Sequence, residues 1–397
     1  MLTGAASAAA RGDERTQRGH EHVCERTHVP HCNQSPVGPG RISSFRKMWL
    51  ARVPADTYSM RRPAAVLLAA LVLATVAGTA GARLSARSWA APQIAAVVEA
   101  GLMAPSAAEF RPDDPLTAAE LAQVSASLGG SVTIDDPDRL VTMRELDARL
   151  VTLVGLRPLA RQIRLAAVEA GLTPRPWLGT ETLARMLELR LNHLRNVEEL
   201  ERQVWQPATR AEAAYSIARV LALDPADVDA VRRAAEGFSL PTLTEWQREV
   251  LARSVRFVGS PYVWAGTSDR PQQLFGKLKP GGFDCSGFVW RVYKLEPFAG
   301  APALTDVLKG RSSYEMSGEV VPAARFKREL LQPGDVVFFG PRGPRSRPNE
   351  VGHMGIYLGN GWIVHSSGFG TTLTPMTGWY DSSFAWGRRP LAEAGLE

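Results

Sequence analysis

The chain has 397 residues, 45% of them hydrophobic and 22% charged, with 35 Gly, 28 Pro and three Cys. That length allows two or three domains with cores of their own. The composition is too apolar for a disordered chain and too poor in cysteine for a disulfide scaffold. The formal charge of +6 sits almost wholly at the start: residues 1–62 carry ten Lys/Arg against five Asp/Glu, and residues 83–397 hold a net +1. No basic domain is left to grip phosphates, so no nucleic-acid partner is expected.

Met60-Arg61-Arg62-Pro63 precedes an apolar run, Ala64 to Ala77, that closes on Gly78-Thr79-Ala80-Gly81-Ala82. A positive start, a short apolar centre and a small-residue site predict a secretory signal peptide over 60–82. The rival is a retained anchor, the one case in which a membrane would be a partner, because 64–82 just reaches spanning length. Residues 1–59 have no apolar period and are expected to be disordered or not translated. Their His20, His22, Cys24, His28, His31 and Cys32 match no zinc template well, so no metal and no cofactor are expected. Export leaves Cys285 as the lone thiol, without a disulfide partner and worth testing as a reactive group.

Residues 94–224 alternate amphipathic stretches with short loops and carry an internal duplication. Val98-Glu99-Ala100-Gly101-Leu102 returns as Val168-Glu169-Ala170-Gly171-Leu172, and Thr142-Met143-Arg144-Glu145 as Thr209-Arg210-Ala211-Glu212. Thr as N-cap with Glu three residues on is the capping-box pattern, and Thr117 to Glu120 is a third instance, after Phe110-Arg111-Pro112. These features resemble S-layer homology modules. The resemblance implies an all-α region over 83–240 whose partner is a secondary cell-wall polysaccharide, against the plainer reading of a helical spacer. Leu183, Leu187, Leu191, Leu194, Val197, Leu200 and Val204 step by threes and fours, which predicts one helix with a buried stripe. His193, on that helix, reads as a surface or internally satisfied histidine.

From about Thr242 the texture changes, and six of the ten tryptophans follow. Leu243 to Phe257 traces a helix that stops at Gly259-Ser260-Pro261. Asp335–Phe339, His353–Leu358 and Trp362–Ser366 read as strands. Asp284-Cys285-Ser286 opens an apolar run suited to a buried helix. A cysteine there faces the helix N-terminus, which favours a thiolate, while the Asp284 charge opposes it. A thiol nucleophile needs a base within reach and a group to orient that base. His353 and His365, 12 residues apart across Gly359-Asn360-Gly361, are the histidines of this half. A three-residue loop would pair Gly355 with His365 and place both imidazoles on one face, ~7–8 Å apart at the backbone. A two-residue Asn-Gly loop would put them on opposite faces.

Gly259-x-Pro261-Tyr262-Val263-Trp264, Phe283-Asp284-Cys285-Ser286-Gly287-Phe288, Leu331-Gln332-Pro333-Gly334-Asp335 and Val351-Gly352-His353-Met354-Gly355-Ile356-Tyr357 together resemble the NlpC-type cell-wall cysteine peptidases. The likeness covers about 243–390. It implies an α+β, papain-like catalytic domain over 243–397 that acts on peptidoglycan stem peptides, at a γ-D-glutamyl-diamino acid bond. It also implies Cys285 as nucleophile, His353 as base and His365 as the orienting third member. Tyr262 falls beside the oxyanion hole, Ser286 at a substrate-contacting position, and Asp284 with them. The expectation is a secreted, wall-associated hydrolase that chelators do not inhibit. The rivals are an amidase or acyl transferase using the same set, and a wall-binding protein with a silent peptidase domain.

Overall fold

The computed structural model describes residues 87–396, Val132 excepted. The expectations for 1–59 and for a signal peptide over 60–82 lie outside these residues. Helices dominate up to residue 240: α1 (Ala91–Glu99), α2 (Ala118–Ser127), α3 (Met143–Leu153), α4 (Arg157–Glu169), α5 (Leu178–Met186), α6 (Arg210–Ala222) and α7 (Pro225–Glu236). The duplicated motifs are real local devices. Gly101 and Gly171 end α1 and α4 with positive φ, and Leu102 and Leu172 donate back to the Val97 and Ala167 carbonyls at 2.8 and 3.0 Å, as left-handed C-terminal caps require. Thr117–Glu120 and Thr142–Glu145 form full capping boxes. At Thr209 the box is half made, because Glu212 turns its carboxylate to His193 Nε2, 3.0 Å away.

The three capped segments meet. Leu116 N donates to Ala208 O (2.8 Å), Ala208 N to Val141 O (2.8 Å) and Val141 N to Leu116 O (2.9 Å), closing a ring of buried backbone bonds. The expected single helix over 183–204 does not form. Helix α5 ends at Met186, Glu188 takes a left-handed φ of 57°, and a short 3₁₀ turn follows at Arg195–Leu200. Arg190, Asn192, His193, Glu198, Glu201 and Gln203 are all buried there. Such groups need partners from other segments, and the chain breaks to supply them. Leu194, on the expected stripe, is 58% exposed.

Helix α8 (Glu245–Val255), opened by a Thr244/Gln247 capping box, leads into the second half. Four short strands, β1 (Thr267–Ser268), β2 (Gln272–Leu274), β3 (Lys277–Lys279) and β4 (Gly282–Phe283), then deliver the chain to helix α9 (Cys285–Tyr293). After the small helices α10 (Leu304–Val307) and α11 (Ser313–Gly318) come β5 (Val336–Phe339), β6 (His353–Gly359), β7 (Trp362–Ser367), β8 (Gly370–Pro375), helix α12 (Trp379–Ser382) and β9 (Phe384–Arg388). Strands β5 to β9 make one antiparallel sheet in the order β8-β7-β6-β5-β9.

Side chains alternate across this sheet as the pleat demands. Val336, Phe338, Met354, Ile356, Val364 and Leu373 face Phe288, Val289 and Val292 of α9. Val337, Phe339 and Ile363 face the other way, under Trp379 and Tyr380. The first of these cores runs unbroken from Ala90 to Leu391, so the change of texture near 240 is not a gap in packing.

Candidate active site

Cys285 is the first residue of α9, and Asp284 is its N-cap. The Asp284 carboxylate accepts from Gly287 N (2.5 Å), Ser286 Oγ (3.0 Å) and Ala265 N (3.0 Å). Arg311 closes the cluster, donating to Ser286 Oγ at 2.8 Å and to Ala265 O at 3.0 Å. Asp284 and Ser286 are therefore committed to holding the turn into α9 and the 262–266 segment beside it. The Cys285 N–H, at the first helical position, has no carbonyl partner within the helix.

His353 and His365 meet by a route that combines both of the expected loops. The hairpin tip is the two-residue Asn360-Gly361 turn, with φ of 48° and 79° and Gly359 paired to Trp362. That turn alone would set the imidazoles on opposite faces. A one-residue bulge at Leu358 intervenes, and beyond it Tyr357 pairs with Ile363 and Ile356 with Val364, the register of a three-residue loop. The bulge restores parity. Gly355 lies opposite His365, where an added Cβ would come within 2.9 Å of both the His365 Cβ and the Val364 carbonyl. The missing side chain leaves room for the imidazoles to touch.

A hydrogen-bonded line results. His353 Nε2 is 2.9 Å from His365 Nδ1, and His365 Nε2 is 3.0 Å from Thr374 Oγ1 on β8. The His353–His365 bond uses Nε2 and leaves Nδ1 outside it, and the Cys285 sulfur accepts from the Ser286 backbone N–H and from that of Met354, next to His353. If His353 Nδ1 is to take a proton, Nε2 must carry one, His365 Nδ1 must accept it, and His365 Nε2–H must donate to Thr374. Tyr380 and Trp379 pack over the pair, with the Tyr380 ring 5.0 Å from His365 and the Trp379 ring 6.1 Å from His353.

Burial sets the electrostatics. It pushes the Cys285 thiol up to about 12, helped by the Asp284 charge and opposed by the two N–H groups and Arg311. It also lowers His353 to about 4 and holds His365 well below the ordinary imidazole range, the neighbouring His353 adding to the second effect. The dipole's preference for a thiolate is thus outweighed, and the resting pair is neutral thiol and neutral imidazole.

Sequence reasoning brought Cys285, His353, His365, Tyr262, Ser286 and Asp284 to one region, and the structure gathers them there. It missed Thr374, Arg311 and the aromatic cover. Thr374 lies in a strand with no motif, and only the β7–β8 register, Ile363 opposite Thr374, puts it beside His365. Among the described residues no group of three or more His, Cys, Asp or Glu side chains could hold a metal ion.

Residues 259–389 match the NlpC/P60 family model. Murein DD-endopeptidase MepH of Escherichia coli (strain K12) is 34% identical over 109 residues, 28% of this chain and 32% of that protein. A gamma-D-glutamyl-L-lysine dipeptidyl-peptidase of Bacillus cereus (strain ATCC 10987) is 31% identical over 110 residues, 28% of this chain and 25% of the relative. A solved NlpC/P60 family protein from Bacillus cereus ATCC 10987 overlays with a TM-score of 0.28 at 27% identity, covering 39% of this chain and 43% of that one. The chain thus spans about a quarter to a third of the length of these two curated relatives. An NlpC/P60 domain occupies 259–389, and the helices before it fall outside the match.

Proposed function

We propose that this protein is an exported peptidoglycan hydrolase, a cysteine endopeptidase that cleaves stem peptides. The observation that carries this reading is the hydrogen-bonded line His353–His365–Thr374 on the sheet, with Cys285 at the start of α9 and its sulfur reached by the N–H of Met354, the neighbour of His353. In this reading Cys285 is the nucleophile, His353 the base, and His365 and Thr374 its orienting groups. Two relatives named for a murein endopeptidase and a γ-glutamyl-lysine peptidase support the substrate class. The γ-D-glutamyl-diamino acid bond is the bond proposed.

In the reaction the Cys285 sulfur attacks the amide carbon while its proton passes to His353 Nδ1. The oxyanion is held by the Cys285 N–H at the start of α9, with Tyr262 beside it. His353 then gives its proton to the leaving amine, and water, deprotonated by the same imidazole, hydrolyses the thioester. Because the neutral pair is the resting form, charge separates only as the bond is made.

The ring of three capped segments supports a module built from three like units, in keeping with a wall-polysaccharide partner for residues 83–240. Full-length protein and its Cys285→Ala variant, incubated with purified peptidoglycan, test the whole reading. New soluble fragments, identified by mass, should come from the wild type alone, with a loss in the variant of about 10⁴-fold or more. Equal silence from both, with both sedimenting with the wall, would instead make this a binding protein.

A further inference from the structure

A strand offers its backbone groups alternately to its two edges, so a segment paired on one side has a second edge to satisfy. Residues 261–264 run past Phe283 in this alternating way, with a single parallel bridge at Tyr262, before the chain turns at Trp264-Ala265 into Gly266. The inner edge serves the chain entering α9: Phe283 N donates to Pro261 O (3.1 Å), Val263 N to Phe283 O (3.2 Å) and Asp284 N to Gly266 O (3.2 Å). The outer edge is met by side chains of the helical half. Tyr262 N donates to Asn192 Oδ1 at 2.6 Å, and Asn192 Nδ2 donates to Tyr262 O at 3.1 Å. Trp264 N donates to Glu198 Oε1 at 2.7 Å. Asn192 is 5% exposed and Glu198 2%, and Lys279 Nζ lies 3.3 Å from the second Glu198 oxygen. The primary amide of Asn192 thus offers one acceptor and one donor, as a neighbouring strand would.

We propose that Asn192 and Glu198 are positioning residues of the Cys285 site, standing in for a missing strand along Tyr262–Trp264. By fixing that outer edge they hold Tyr262, bridged to Phe283 two residues before the nucleophile, and keep Ala265 against the Asp284 carboxylate that caps its helix. The catalytic half is then incomplete without the helical half. The kinetic part of the test rests on the hydrolase reading above; the chemical part does not.

The test uses the full chain as wild type, Asn192→Ala, Glu198→Ala, Glu198→Gln and Trp177→Phe. The last removes a bond across the same interface, Trp177 Nε1 to Val258 O at 3.3 Å, but leaves the 261–264 edge alone. All are assayed well below their unfolding temperatures. Two quantities are read: kcat and KM on soluble stem-peptide fragments, and the iodoacetamide alkylation rate of Cys285, followed on its own peptide by mass spectrometry. We expect Asn192→Ala and Glu198→Ala to lose about 10–100-fold in kcat with little change in KM, as displacements of about 1 Å do. Their Cys285 should alkylate several-fold faster as water reaches it. Glu198→Gln, which keeps the acceptor for Trp264 N–H, should recover most of the loss, and Trp177→Phe should match wild type in both.

Lower melting temperatures with wild-type kcat and wild-type alkylation would overturn the proposal, leaving the two residues a merely structural role. Should Asn192→Ala not fold, the near-isosteric Asn192→Asp, which keeps the acceptor and loses the donor to Tyr262 O, is read by the same two measures. If the wild type releases no fragments, the hydrolase reading fails, while the alkylation contrast between Asn192→Ala and Trp177→Phe still decides for or against positioning.

Discussion

The candidate site and the helical half bury ionisable groups in opposite ways. In the sheet half, Cys285, His353 and His365 sit among apolar and aromatic side chains, and burial keeps all three uncharged. In the helical half, Asp147, Glu181, Arg185, Arg190, Glu201 and Glu212 are all buried together, with Arg190 2.9 Å from Asp147 and Arg185 3.5 Å from Glu181. Neutral groups can exchange a proton at little cost, which suits chemistry. Paired charges resist any displacement of one partner, which suits anchoring. Arg185 joins the two, donating to Gly259 O at 2.7 Å and to Phe369 O.

The strongest way to break this contrast is to remove a cation from the helical half. Arg190→Met leaves Asp147 without its partner and should lower the unfolding free energy by about 3 kcal/mol at neutral pH in urea titrations. Burial raises the Asp147 pKa, so the loss should shrink in acid as the carboxyl takes up a proton. No comparable penalty is expected at the candidate site, where a substitution acts on rate. Thr374→Val removes the acceptor that sets the His365 tautomer, and should cost about tenfold in kcat, the worth of one hydrogen bond of about 1.4 kcal/mol, with the melting temperature nearly unchanged.

A third effect is on stability against pH. The pKa of His353 falls from 6.5 unfolded to about 4 folded, so the unfolded chain binds more protons between these values. Stability should fall as pH drops from 6.5 toward 4. His353→Asn, which cannot titrate, should flatten that limb of a melting-temperature profile by a few degrees. An unchanged slope would mean that the imidazole is not held neutral by the fold.

What could be read from the residues differed between the halves for physical reasons. Capping boxes and glycine caps are local, and Thr117, Thr142, Gly101 and Gly171 announced themselves. The 183–204 stripe misled because its apolar spacing fits a helix, whereas the buried Arg190, Asn192 and Glu198 find partners far away in sequence. In the sheet half the motifs around Tyr262, Cys285 and His353 pointed to the candidate site. The meeting of His353 with His365, however, depended on a bulge at Leu358, which Asn360-Gly361 does not advertise. Thr374 illustrates the same limit, since a threonine in a strand gains a role only from the residue beside it.

The ring of bonds among Leu116, Val141 and Ala208 has a topological consequence. In an open array of repeats, the end units have one neighbour each, and removing one shortens the series by a single interface. A closed circle has no ends. Deleting any one of the three segments would break two of its three bonds, stranding a buried donor on one survivor and a buried acceptor on the other. Loss should therefore be all or none, the three segments standing or failing together.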